Sequence, residues 1–215
     1  MSVDIHQFFL GDMDNCIYLI RDIDTAKCAL VDPAWDVDLL LEFIKKHDLD
    51  LESIFLTHGH FDHTQGLRDC LMYKAVDVYM SNKELLQLRP NGLSIEYTHD
   101  KQTIKLGNST LHIMHTPGHS PGGQCIYTHP HLITGDTLFV NGCGRCDFDG
   151  SNPEAMYKSL QRIKKLPEDT IIYPGHNYAD IPKDTLSNQF QSNRFLVAQD
   201  YDTFYRLRMQ KRKFT

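Results

Sequence analysis

The most constraining stretch of this chain is Thr57-His58-Gly59-His60-Phe61-Asp62-His63, where three imidazoles and a carboxylate crowd together. An apolar run, Ile54-Phe55-Leu56, leads into it and reads as a short buried strand. If the chain stays extended past that strand, side chains alternate, so His58 and His60 point the same way and can chelate one metal. Asp62 reads as a helix N-cap and His63 as the opening of the helix behind it, which turns both toward a neighbouring point. Imidazole with carboxylate suits zinc, iron or manganese.

Three later segments each carry a potential ligand just after a strand. Thr116-Pro117-Gly118-His119-Ser120 follows a strand at 110–115. Gly135-Asp136-Thr137 follows one at 131–134, and Gly175-His176 follows one at 170–173. Glycine permits the tight turn and close backbone approach that placing a ligand there requires. One histidine after one strand carries little weight. Four such elements at the ends of separate strands point to a single site.

The rest of the pattern is strands followed by helix, twice over. Short strands are expected at 8–10, 16–20, 29–31 and 76–80 in the first half, with helices at 64–73 and 82–88. Asp36 is placed to cap a helix reaching about His47, with Val37, Leu40, Leu41 and Ile44 inward. The second half adds strands at 103–106 and 124–127 and a helix from Pro153 to about Lys165. Two helices are expected at 184–195 and 201–213. This rhythm suggests two mixed sheets packed face to face with helices outside; alternation alone supports a three-layer α/β fold equally well.

The chain has 215 residues, of which 41% are hydrophobic, enough for one domain with a sizeable core. Residues 1–215 read as one domain, with 180–215 a short helical C-terminal extension. Its 22 basic and 28 acidic residues leave a net charge of −6, which argues against a nucleic-acid binder held by phosphate contacts. No apolar run approaches a membrane span. The N-terminus lacks a charged segment followed by an apolar one, so the six cysteines are expected to be reduced thiols and the location cytoplasmic. Monomer and dimer are both open.

The ligand set His-x-His-x-Asp-His, then His119, Asp136 and His176, resembles that of the metallo-β-lactamase superfamily, over roughly residues 10 to 180. Within that superfamily, Gly135-Asp136-Thr137-Leu138-Phe139 followed by Gly142-Cys143-Gly144-Arg145 is similar to glyoxalase II (hydroxyacylglutathione hydrolase) and to persulfide dioxygenases. The resemblance implies an αββα sandwich with the metal site at one rim between the sheets. It implies that His58, His60 and His119 bind a first zinc, that Asp62, His63 and His176 bind a second, and that Asp136 bridges them. Two zinc ions per chain are therefore expected, with iron or manganese as substitutes. A hydroxide between the two cations would attack a thioester carbonyl, with Asp62 also orienting it. The same resemblance suggests Arg145 and Tyr178 as substrate contacts.

The chain departs from glyoxalase II after His176, where the longer helical C-terminal domain is mostly missing. The last expected helix carries Arg206, Arg208, Lys211, Arg212 and Lys213. These read as a solvated helix end or as a docking patch for an anionic partner. The short layout resembles hydrolases of polyketide gene clusters that act on carrier proteins. The substrate is thus expected to be a small-molecule thioester or an acyl carrier protein. The alternative is a persulfide dioxygenase with one iron on His58, His119 and Asp136. Cys143 and Cys146 read as structural, and His115 as a neighbour of the metal site.

Overall fold

The computed structural model describes residues 3–84 and 94–210. The first sheet runs in chain order: β1 (Val3–Leu10), β2 (Asn15–Asp22), β3 (Lys27–Val31), β4 (Asp50–Phe55), β5 (Asp77–Ser81) and β6 (Ile95–Thr98). Its first three strands are antiparallel neighbours, and β3 to β6 are parallel. The second half supplies β7 (Thr103–Leu106), β8 (Ser109–His115), β9 (Gln124–Thr128) and β10 (His131–Gly135). A small ribbon of β11 (Leu138–Phe139) and β12 (Gly142–Cys143) follows. With β13 (Ile171–Pro174) and β14 (Asp184–Thr185), the second sheet reads β7-β8-β9-β10-β13-β14, its only parallel pair being β10 with β13.

Among the described residues there are six helices: α1 (Val37–Lys46), α2 (Phe61–Thr64), α3 (Leu67–Tyr73), α4 (Pro153–Ile163), α5 (Leu186–Ser192) and α6 (Tyr201–Met209); all but α2, which carries Asp62 and His63, pack on the outer faces of the sheets. Strand β2 shows why layers form. Its side chains alternate faces, Ile17 and Leu19 joining the core under α1 and α3, Tyr18 and Ile20 the core between the sheets. Such strands, buried on both faces, read as unbroken apolar runs. A third core lies outside the second sheet, where Leu132 and Ile172 meet Met156 and Leu160 of α4 and Phe204 of α6. The middle core, with Ile113, Ile126 and Ile133 from the second sheet, makes this the expected αββα sandwich rather than a three-layer fold.

Several local expectations change. Asp36 does stand at the N-cap of α1, but in the left-handed region (φ 46°) and with no side-chain capping bond. The helix expected at 64–73 is two pieces, α2 and α3, and α2 starts early enough that His60, not Asp62, is its N-cap residue. Asp62 therefore caps nothing; its carboxylate is turned into the site. Asp184 and Thr185 pair with β13 as a strand because their backbone extends the sheet edge, so the helix there begins at Leu186. Strand β6, Ile95–Thr98, adds an edge that the apolar pattern does not mark. The helix expected at 82–88 runs outside the described residues from 85 onward, as does the end of the last helix, with Lys211, Arg212 and Lys213. Among the described residues, no helix is long and apolar enough to cross a membrane.

Candidate metal centre

Both sheets deliver their site loops to one rim. The 57–63 loop leaves the end of β4, the 116–123 loop joins β8 to β9, Asp136 follows β10, and His176 follows β13. Two glycines make the approach possible. Gly135 takes φ 47°, and a Cβ there would strike the Thr57 side chain. A Cβ on Gly175 would strike the Asp136 carboxylate. The His176 loop is further tied to the 13–16 segment by Cys16 N–H donating to Gly175 O at 2.8 Å and Asn177 N–H donating to Asp14 O at 2.8 Å.

The seven ligands expected from the sequence all converge. His58 Nε2 lies 3.0 Å from His60 Nδ1, which lies 3.0 Å from His119 Nε2. On the other side, His63 Nε2 is 3.2 Å from His176 Nε2, and Asp62 Oδ2 is 3.6 Å and 3.5 Å from these two nitrogens. Asp136 reaches both groups: Oδ2 is 3.3 Å from His119 Nε2 and 3.4 Å from His176 Nε2, and Oδ1 is 3.6 Å from His63 Nε2. All but His60 are buried.

This donor set fits cations. A tetrahedral zinc with Zn–N near 2.05 Å separates two ligand nitrogens by about 3.3 Å, close to the spacings seen. Outer bonds orient the rings. His119 Nδ1 faces Arg145 O at 2.9 Å and His176 Nδ1 faces Met13 O at 2.8 Å; a carbonyl only accepts, so each Nδ1 carries the proton and each Nε2 lone pair points inward. Asp136 Oδ1 is buried with no hydrogen-bond partner, a position that a cation would satisfy. Asp136, His58, His60 and His63 also show how the charges interact. Burial pushes the Asp136 carboxyl up, but the surrounding rings, His63 foremost, hold it well below the usual carboxylate range. Burial lowers His58 and His60, and neighbouring rings add to the effect. Burial opposes protonation of His63 too, yet Asp136 and Asp32 outweigh it and raise the ring to about 9.

The supporting residues escaped the sequence reading. Asp32, left-handed at φ 53°, directly follows β3. Its Oδ1 accepts Thr57 N–H at 2.7 Å, and its Oδ2 accepts from Thr57 Oγ1 at 2.6 Å and from His63 Nδ1 at 2.9 Å. Asp32, His58 and His63 could nominally group around an ion, but these bonds already occupy both Asp32 oxygens, so it orients His63 instead. Its signal was available: a carboxylate directly after an apolar strand, as at Asp136. Asn15 donates from Nδ2 to Asp62 O at 3.0 Å and Asp62 Oδ2 at 3.2 Å, while Trp35 Nε1–H donates to its Oδ1 at 2.9 Å and so sets the amide's orientation. Nothing in local sequence marks that relay.

A cavity of about 580 Å³ opens over the ligands, lined on its apolar side by Met13, Phe61, Phe139 and Phe148. Arg145 and Tyr178 also line it. Arg145 is held by both carboxylate oxygens of Asp147 at 2.9 Å and lies over the Phe148 ring. Tyr178 stacks on His176 at 4.8 Å. His115 is elsewhere: its ring meets Thr98, and its carbonyl meets Arg162. All six cysteines are buried and free, and burial pushes the Cys143 and Cys146 thiols up to about 12, in keeping with a structural role.

The chain is similar to several known proteins. A zinc-dependent hydrolase of Bacillus subtilis, named as a probable polyketide biosynthesis enzyme, PksB, is 32% identical over 198 residues, covering 92% of this chain and 88% of its own. A hydroxyacylglutathione hydrolase of Salmonella typhi is 34% identical over 187 residues, covering 82% of this chain and 71% of its own. The crystal structure of ETHE1 from Myxococcus xanthus superposes with a TM-score of 0.86 at 26% identity, covering 99% of this chain and 93% of that one. The family model described as the metallo-beta-lactamase superfamily matches residues 11–176. With that match spanning all seven converging side chains, the chain belongs to the metallo-β-lactamase superfamily.

Proposed function

We propose that this protein is a metal-dependent hydrolase that cleaves a thioester at a dinuclear zinc centre. His58, His60 and His119 would hold one ion, Asp62, His63 and His176 the other, with Asp136 shared between them. The observation that carries the reading is the pair of ligand triads joined by Asp136 beneath one open cavity. Bound zinc supplies Lewis acidity toward a carbonyl and lowers the pKa of water. The chain's own part is orientation. Asn15 holds the Asp62 carboxylate in the centre, where it would orient a water. The apolar side of the cavity offers room for the acyl group.

The thiol side has a different character. A second depression of about 430 Å³ shares Phe139, Arg145 and Tyr178 with the first and adds Arg208 of α6. Arg194, Arg206 and Arg208 line a further hollow beyond it. Arginines along this route suit a thiol that bears carboxylate or phosphate, whether a small molecule such as glutathione or the arm of an acyl carrier protein.

The test is elemental analysis followed by a panel of acyl-glutathione, acyl-CoA and acyl-carrier-protein substrates. About two zinc ions per chain and release of free thiol are expected. One iron per chain, with oxygen consumed on a persulfide, would instead establish the dioxygenase alternative on His58, His119 and Asp136.

A further inference from the structure

One buried carboxylate belongs neither to the ligands nor to the cavity. Glu84, just past β5, is 8% exposed. Its Oε2 accepts Gly59 N–H at 2.8 Å and its Oε1 accepts Gly122 N–H at 2.6 Å. Among the described residues, no lysine, arginine or histidine forms an ion pair with it. A carboxylate taken out of water is costly unless strong bonds replace its hydration, and here backbone donors do so on both oxygens.

The two donors are informative. Gly59 sits between His58 and His60 on the loop of the first sheet. Gly122 sits on the loop of the second sheet that carries His119. We propose that Glu84 is a positioning residue that clamps these two loops together, so that the His58, His60 and His119 nitrogens converge on one ion. Other stitches lie nearer the strand ends: Gln124 N–H donates to Thr57 O at 2.9 Å and Gln124 Nε2 to Leu56 O at 2.8 Å. They hold the sheets together but leave positions 58–60 to Glu84. The Asp62, His63 and His176 group takes its support from Asn15, Asp32 and Met13 instead, so the clamp acts on one half of the centre. The inference rests on the metal-centre reading but not on which bond is hydrolysed.

The test uses Glu84→Gln and Glu84→Ala in the full chain, with stepwise zinc release to a chromogenic chelator and melting temperature with and without zinc. Glutamine keeps one acceptor, so one glycine N–H then faces an amide NH₂. In each variant, one of the two zinc equivalents should weaken about 10–100-fold, the range seen when a ligand's support is removed. The release profile should match that of His119→Ala and not that of His176→Ala. The zinc-induced rise in melting temperature should shrink with it. A merely structural role would lower the metal-free melting temperature yet leave that rise and both affinities intact, which overturns the proposal. Equal weakening of both zincs overturns it too. Should Ala fail to fold, the near-isosteric Gln decides. A parent protein that holds no zinc sinks the metal-centre reading itself, a result separate from any variant.

Discussion

Replacing Asp32 by asparagine sets the Thr57 N–H against the His63 ring. The native carboxylate accepts three hydrogen bonds, from Thr57 N–H on one oxygen and from the Thr57 hydroxyl and His63 Nδ1 on the other. Asparagine has one acceptor oxygen. If that oxygen faces His63, the amide NH₂ opposes the buried Thr57 N–H, leaving a donor unmatched. If it faces Thr57 N–H, the NH₂ points at His63 Nδ1, which can then only accept. The His63 proton moves to Nε2, where the ligand lone pair should be. One lost buried bond costs about 1–3 kcal/mol. For a chain of this size, each kcal/mol lowers the melting temperature by about 2–4 °C. The amide orientation that shifts the His63 proton leaves the Thr57 N–H satisfied, so most of the penalty should fall on metal binding. With only the low end of that cost, about 1 kcal/mol, left to folding, we expect a melting point about 2–4 °C lower without metal, and one zinc equivalent held about 10–100-fold more weakly. Calorimetry of the metal-free protein and chelator competition of the loaded protein measure the two parts. An unchanged second zinc affinity would refute the assignment of Asp32 as the group that sets the His63 tautomer.

Three further outcomes follow from the same geometry. Asp62→Ala should cut turnover about 100-fold or more while moving the melting temperature little, because Asp62 makes no capping bond; comparable losses in both would return it to a structural role. In the metal-free protein, His63 is raised from 6.5 to about 9, so its contribution to stability is fully present below pH 6.5 and lost as pH rises through about 9. The metal-free melting temperature should therefore fall across that window while zinc affinity rises, since zinc displaces that proton; potentiometric and calorimetric titrations that run flat there would contradict it. Arg208→Glu should raise KM for thioesters of an anionic thiol, with kcat less affected and the difference shrinking in high salt; equal effects on neutral and anionic thiols would remove Arg208 from substrate recognition.

The local reading succeeded where chemistry is packed into a few neighbouring residues. His58 and His60 meet at 3.0 Å on the loop just past β4, as the two-residue spacing after an apolar strand suggests. Helix α4, with Asn152 accepting from Ala155 N–H and Pro153 at its start, is likewise written in adjacent positions. The Asp62 cap failed for the opposite reason. An aspartate near a helix start has the same local signature whether it caps the helix or turns toward a site, and here Asn15, Trp35 and the buried histidines decide.

What the sequence determined alone was the donor chemistry: which residues can ligate, and that each follows a strand. Pairwise spacing along the chain carries that because it depends only on backbone period. Which ring nitrogen faces the site, which carboxylate reaches both histidine groups, and which side chain joins the two loops were decided only in three dimensions. Those properties depend on partners far away in the chain: Met13 for His176, Arg145 for His119, Glu84 for Gly59 and Gly122. A hydrogen bond formed across two sheets leaves no periodic trace in either strand, so only the folded arrangement reveals it.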